Sequence, residues 1–272
     1  MFNTEKLIKK ATQYKRGFEP PEDAYVISAS MIAKDPLQNY LTILYGNSST
    51  IDQPIDDSDL GTIFHKGMEQ VVLAEKDQGE TNPDEHILVE HTMHKELKNG
   101  WFLSGTADLI IRRTDGTSDI EDHKLTKTYA LKMIRKDLNN HDYTVQLQAL
   151  DLLNWNENPY PVEKKLQSKL VINVFCKDAK AIDKEPTFSP VTAPNTDLQN
   201  FEERVVEITS SLQAYIENAE IPPICTDLWT RKLKNGKVIN TKCALYCNHG
   251  KNGTCMYYKS DTRQAVNLLT NW

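Results

Sequence analysis

The stretch Gly105-Thr106-Ala107-Asp108-Leu109-Ile110-Ile111-Arg112-Arg113-Thr114-Asp115-Gly116-Thr117-Ser118-Asp119-Ile120-Glu121-Asp122-His123-Lys124 decides how this chain is read. Residues 103–112 and 119–126 carry strand patterns on either side of Asp115-Gly116, a hairpin signal. Side chains two apart on a strand share a face, so Asp122 and Lys124 present a carboxylate and an ammonium side by side. Whether Asp108 joins them is a question of parity. A two-residue turn at Asp115-Gly116 sends Asp108 to the opposite face. A three-residue loop over 114–116, with Gly116 left-handed, pairs Arg113 with Thr117, and hence Asp108 with Asp122 and Ile110 with Ile120. That register makes both chemical and packing sense, so an odd-length loop is expected.

Residues 60–75 read as a strong helix, with Leu60, Ile63, Phe64, Met68, Val71 and Val72 at helical spacing. His65 and Glu69 are four apart and project from one side of it. Two convergent aspartates and a histidine suit a hard divalent cation such as Mg²⁺ or Mn²⁺. Such an ion acidifies a bound water and neutralises charge on a phosphoryl group. A lysine beside the carboxylate orients that water and stabilises the transition state, which is the chemistry of phosphodiester hydrolysis. The plainer alternatives are a surface ion pair for Asp122 and Lys124 and a hydrogen-bonded core histidine for His65.

The rest of the chain organises around this. Ser28 caps an expected helix over 29–33, and Pro36 opens another with Leu37, Tyr40, Leu41 and Leu44 on one face, closed by Gly46. Residues 47–59 are expected as a loop carrying Asp52, Asp56, Asp57 and Asp59. Residues 128–138 read as a short basic helix, 142–153 as a helix, 169–175 as a strand and 196–219 as a long helix. Ile221-Pro222-Pro223 marks a boundary, giving units 1–220 and 221–272. A chain of 272 residues is long enough to bury a core without a disulfide or metal. No apolar run approaches the roughly 18 residues of a membrane helix, and the polar residues 1–16 resemble no secretory signal, so no membrane partner and an intracellular, cytoplasmic location are expected.

The formal charge of -6 argues on its face against a nucleic-acid binder. The positive charge is clustered, however, in Lys124, Lys127, Lys132, Arg135 and Lys136, and in Arg231, Lys232, Lys234, Lys237, Lys242, Lys251 and Lys259. The second cluster is interleaved with Trp229, Tyr246, Tyr257 and Tyr258; such residues either stack on single-stranded nucleic acid or pack around a metal. Of the five cysteines, Cys176 sits in a strand and reads as a small buried hydrophobe. Cys225, Cys243, Cys247 and Cys255, separated by seventeen, three and seven residues, follow the boundary in a segment poor in large apolar residues. Four thiolates suit a [4Fe-4S] cluster or a structural zinc, with His249 an alternative zinc ligand in place of Cys225.

Gly61-x-x-x-His65-x-x-x-Glu69, Gly105-Thr106-Ala107-Asp108, Asp122-His123-Lys124 and Gln146-Leu147-Gln148-Ala149-Leu150, in that order, resemble the PD-(D/E)XK nuclease superfamily. The resemblance is to its RecB-like exonuclease branch, which includes phage nucleases and CRISPR-associated iron-sulfur exonucleases, and it covers roughly residues 26–153. It implies an α/β, restriction-endonuclease-like mixed central sheet flanked by helices, with a cysteine-rich, metal-bound C-terminal lobe. It implies that His65, Asp108, Asp122 and the carbonyl of His123 bind one or two Mg²⁺ or Mn²⁺ ions and that Lys124 is the catalytic lysine. Glu69 would support the ligands or hold a second ion, and Gln146 would support the site or touch the DNA backbone. Leu150 stands where the family often has Tyr, and Ser28-Ala29-Ser30 is similar to the family's opening Ser-x-Ser element. Iron-sulfur members often follow that element with Cys-Pro; here it is Asp35-Pro36, and Cys225 is the substitute ligand for a [4Fe-4S] cluster with Cys243, Cys247 and Cys255. The function implied is a metal-dependent DNA nuclease, exonuclease-like, acting on DNA ends or single strands in recombination, repair or phage DNA processing, in the host cytoplasm if phage-encoded. Other replication or recombination proteins are its implied partners. The alternative is a non-catalytic DNA-binding subunit that keeps the fold.

Overall fold

A computed structural model gives the architecture. It describes residues 20–21, 24–45, 57–77, 82, 84–159, 166–178 and 188–226, and in the C-terminal segment 230–232, 238–240, 247, 249, 255, 257–259 and 264–265. Gly46, Asp52, Asp56, Trp229, Lys234, Lys237, Lys242, Cys243, Tyr246 and Lys251 lie outside the described residues.

The protein is α/β, with a mixed central sheet flanked by helices. The sheet is built from β1 (Val26–Ser28), β2 (Glu85–Glu96), β3 (Phe102–Arg113), β4 (Ser118–Thr126), β5 (Lys169–Cys176) and β6 (Phe188–Ala193). The helices are α1 (Pro36–Tyr45), α2 (Asp57–Asp77), α3 (Thr128–Lys136), α4 (Asp142–Glu157) and α5 (Leu198–Glu217). Strand β3 is the spine. It pairs antiparallel with β2 along its whole length. On its other edge it pairs in parallel with β1 over Phe102–Ser104, then antiparallel with β4 over residues 109–112. Beyond β4 the order continues β5 in parallel and β6 antiparallel. The β3 edge therefore changes partner, and Gly105-Thr106-Ala107-Asp108 falls between the two ladders.

The β3–β4 hairpin has the odd-length loop the sequence predicts. Ile110 pairs with Ile120, Arg113 N–H donates to the Thr117 carbonyl at 2.8 Å, and Gly116 takes φ 89°. Asp115 Oδ1 accepts from Thr117 N–H at 2.8 Å, which closes the turn. The register puts Ile110, Ile120, Asp122 and Lys124 on one face with Ile172 and Val174 of β5. Helix α4 covers that face. Its Asn154 accepts from Arg112 Nε at 2.8 Å and donates to Ser118 Oγ at 3.1 Å, satisfying a buried guanidinium and hydroxyl. Helix α2 lies on the opposite face, where Phe64 meets Phe175 at 4.7 Å between ring centroids. Leu103, Ile110, Ile120, Leu147, Leu150 and Ile172 are fully buried between these layers.

Several elements differ from the sequence expectation. Ser28 is the last residue of β1, paired with Ser104, and only a 3₁₀ turn over Ala29–Met31 follows it. Asn39 Nδ2 donates to the Met31 and Lys34 carbonyls, and Lys34 N–H closes a tight turn onto the same Met31 carbonyl at 2.9 Å. Helix α2 starts at Asp57, so Asp57 and Asp59 are helical rather than in the loop. Strands β2 and β6 have no counterpart in the sequence reading. β2 is mostly half-buried, with charged residues and histidines throughout. β6 carries Pro190, which a strand tolerates at a sheet edge.

The C-terminal segment packs on the main domain. Cys255 and Tyr257 join its core, His249 Nε2 lies 3.0 Å from Thr42 Oγ1 of α1, and Thr226 N–H donates to Asp35 Oδ1 at 3.3 Å. Asp35 thus holds the residue next to Cys225.

Gly105 lets β3 approach α4 closely. A Cβ there would stand 2.7 Å from Leu150 Cδ2, 3.0 Å from the Ala29 Cβ and 3.2 Å from Leu153 Cδ1. Both leucines are fully buried and cannot swing away. Gly105→Ala should therefore destabilise the fold by about 1–3 kcal/mol in urea denaturation, as overpacked cores do; wild-type stability would show the contact to be soft.

Candidate active site

The gap on the β3 edge is closed by a side chain. Asp108 turns its carboxylate toward β4, and its Oδ2 accepts the His123 backbone N–H at 2.6 Å. The strand pairing ends at Leu109 and Glu121, so a side chain replaces the next ladder bond. Its Oδ1 lies 3.3 Å from His65 Nδ1 on α2. Burial pushes the Asp108 carboxyl up, but the His65 ring, the Lys124 ammonium and the His123 N–H outweigh it and hold it below its ordinary value. The same hydrogen bond raises the His65 pKa, against partial burial.

Opposite Asp108 on β2 stands Glu90, in register with it but absent from the ladder that continues on both sides. Glu90 takes φ 48°, a left-handed conformation that costs a non-glycine residue about 1–3 kcal/mol. His65, Glu90 and Asp108 each offer a ligand atom, all within 4.8 Å of one another, the one such metal-capable group among the described residues. Glu69 joins His65, Met68, Val89, Glu90 and Asp108 around a small cleft. The sequence reading brings His65, Asp108 and Glu69 here and misses Glu90, because it leaves β2 unassigned. Acidic side chains are common on exposed strands, so only its placement across from Asp108 singles Glu90 out.

Asp122 and Lys124 form the second half of the site. Asp122 is 2% exposed. Its Oδ1 accepts from Lys124 Nζ at 2.7 Å and from Gln146 Nε2 at 3.4 Å, while Oδ2 is buried with no hydrogen-bond partner. Burial drives its pKa up, against the pull of Lys124. Burial pushes the Lys124 ammonium down, but Asp122 and Asp108 outweigh it and raise it, so the lysine stays charged. The Lys124 Nζ also stands over the Tyr143 ring at 4.8 Å, a contact from α4 that the sequence reading misses. The two aspartates thus have pKa values driven in opposite directions, a pattern typical of paired functional carboxylates. Asp122 is not one of the three clustered ligand groups, and the His123 ring turns to Glu121 Oε2 at 3.5 Å.

Gln146 lines a second, larger cleft with Ser28, Ser30, Ser104, Gly105 and Thr106. Asp108 lines the first cleft, and Gln146, which donates to Asp122, lines the second. Leu150 is fully buried against Gly105 and touches neither. Cys225, Cys247 and Cys255 form no disulfide among the described residues, and with His249 they form no group of three ligand atoms within 4.8 Å; Cys243 lies outside the described residues. Cys176 is buried, as expected.

No family model and no curated protein matches the chain. Among solved structures it is similar to one described as "Crystal structure of SSO0001", with 17% identity and a TM-score of 0.47, covering 76% of this chain and 85% of that one. No helix of the described residues is long and apolar enough to cross a membrane.

If the strain at Glu90 serves ion binding, stability and metal affinity should move in opposite directions on Glu90→Gly. Without metal the variant should be more stable by about 1 kcal/mol, since glycine adopts this φ at no steric cost. Its Mn²⁺ affinity, measured by calorimetry, should fall; unchanged affinity would remove Glu90 from the site.

Proposed function

We propose that this chain is a divalent-metal-dependent deoxyribonuclease of the PD-(D/E)XK type, exonuclease-like, with a restriction-endonuclease-like fold. The observation that carries the reading is the Asp108 carboxylate, drawn into the gap in the β3 edge beside the buried Asp122–Lys124 pair. The donor set fits a hard divalent ion. Asp122 Oδ2 is a buried carboxylate oxygen without a partner, and His65, Glu90 and Asp108 offer imidazole and carboxylate atoms close together. Asp108 and Asp122, with His65 and Glu90, would hold Mg²⁺ or Mn²⁺. The ion would supply positive charge to the phosphoryl oxygens and acidify the attacking water.

The chain's own groups do the rest. The Asp122 carboxylate holds the Lys124 ammonium charged and aimed, and the Tyr143 ring backs it. A fixed ammonium at that place stabilises negative charge developing on the phosphate without having to reorient. Gln146 holds Asp122 Oδ1 from α4. Glu69 lines the cleft beside His65, where it supports the ligands or a second ion. The Ser28, Ser30, Ser104 and Thr106 side chains line the neighbouring cleft and offer neutral donors to a nucleic-acid backbone. In the C-terminal segment, Cys225, Cys243, Cys247 and Cys255 would hold a [4Fe-4S] cluster or a structural zinc. The support is compositional: four cysteines in a short stretch, with no disulfide among the described ones.

End-labelled single- and double-stranded DNA, incubated with Mn²⁺, should be degraded by the wild type. Asp122→Asn and Lys124→Met should each lower the rate by about 100-fold or more while melting near wild type. Full activity in either variant would reject the assignment.

A further inference from the structure

Lys124 is held from two elements. From its own strand, Asp122 Oδ1 accepts from Lys124 Nζ at 2.7 Å. From α4, the face of the Tyr143 ring lies against the same nitrogen, 4.8 Å from Nζ to the ring centroid. Tyr143 and Gln146 are three apart on α4, so they project from one side of the helix. That side gives one contact to each member of the ion pair, since Gln146 Nε2 reaches Asp122 Oδ1 at 3.4 Å. The tyrosine is itself seated by the helix start. His141 is the N-cap; its Nδ1 accepts the Tyr143 backbone N–H at 3.3 Å, and its ring packs on the Tyr143 ring at 4.8 Å between centroids. Burial pushes the His141 pKa down, which leaves Nδ1 free to accept. Thr144, Val145 and Leu147 are buried and anchor the same turn.

We infer that Tyr143 is a positioning residue for Lys124: its ring fixes where the ammonium stands and leaves the charge available to the phosphate. This rests on the nuclease reading and deepens it by assigning a residue that acts only through the lysine. A lysine is a point charge on a flexible four-carbon stem, and a single ion pair lets it pivot about one oxygen. A further carboxylate would fix the ammonium but cancel the charge that stabilises the transition state. An aromatic face attracts a cation through its quadrupole and brings no net charge. Stabilisation by a fixed charge depends on that charge not having to reorient during the reaction. Removing the ring should therefore slow the chemical step and leave DNA binding unchanged.

The test is single-turnover cleavage of end-labelled DNA with Mn²⁺, read as a maximal rate and a half-saturating enzyme concentration. Tyr143→Leu should lower the maximal rate by roughly 5- to 30-fold, the range of a partly desolvated cation–π contact, with half-saturation unchanged. Tyr143→Phe keeps the ring and should recover most of that rate. In a double-mutant cycle, Lys124→Met with Tyr143→Leu should be no slower than Lys124→Met alone. A wild-type rate in Tyr143→Leu would overturn the assignment. So would a changed half-saturation at an unchanged rate, a Tyr143→Phe as slow as Tyr143→Leu, or a double variant slower than Lys124→Met. Tyr143 is half-buried, so leucine should be accommodated. Should that variant not fold, nuclear magnetic resonance of the wild type decides: the Lys124 protons next to Nζ should be shifted upfield by the ring, and unshifted protons would reject the contact. If Lys124→Met is slow while Tyr143→Leu is not, the positioning role alone fails. If the wild type does not cleave DNA, the nuclease reading fails with it.

Discussion

The site depends on one hydrogen bond, from the His123 backbone N–H to Asp108 Oδ2 at 2.6 Å. A sheet strand whose edge changes partner leaves backbone groups to satisfy in the gap. Here β1 and β4 share one edge of β3, and the gap between them is where strand pairing has to be interrupted. Filling the gap with a carboxylate satisfies the β4 N–H and at the same time fixes a negative charge beside Asp122. The fold and the proposed chemistry therefore need the same residue at the same place. A leucine there could fill space but could not accept the N–H.

The surrounding groups follow from the need to stabilise that charge. Two carboxylates and a nearly buried lysine are costly to desolvate, and such groups persist only when paired. Asp108 has His65 and the His123 N–H; Asp122 has Lys124 and Gln146. What stays unsatisfied is Asp122 Oδ2, together with the strained backbone at Glu90. Both lie around Asp108, and both are features that a bound cation would compensate. Asp151 of α4 is a buried carboxyl whose Oδ2 also has no hydrogen-bond partner, but it stands outside the His65, Glu90 and Asp108 group. Its Oδ1 accepts the Ser168 N–H at 3.1 Å, burial raises its pKa, and it ties α4 to the start of β5.

Much of this was legible in the sequence because it is governed by parity. The Asp115-Gly116 signal and the matching of Ile110 with Ile120 set the hairpin register as far as Leu109 and Glu121; the expected pairing of Asp108 with Asp122 is not in the ladder, and the Asp108 carboxylate accepts the His123 N–H instead. Helical spacing placed His65 and Glu69 on the side of α2 that faces the cleft. Glu90 was not legible, since its position across from Asp108 depends on a long-range pairing between β2 and β3. Its left-handed φ has no signature in a glutamate. Tyr143 was hidden for a similar reason: its contact with Lys124 exists only once α4 lies on the sheet. β6 was obscured by Pro190, and the 3₁₀ turn after Ser28 is braced by Asn39, which reaches the Met31 carbonyl from eight residues away.

Calorimetric titration of Mn²⁺ into the wild type and Asp108→Asn tests the central claim most directly. Asparagine keeps an oxygen to accept the His123 N–H, so the gap stays closed while the charge is lost. The wild type should bind one or two ions, and Asp108→Asn should bind them more weakly by about tenfold or more, with its melting temperature little changed. A wild type that takes up no Mn²⁺, or a variant that binds it equally well, would contradict the account.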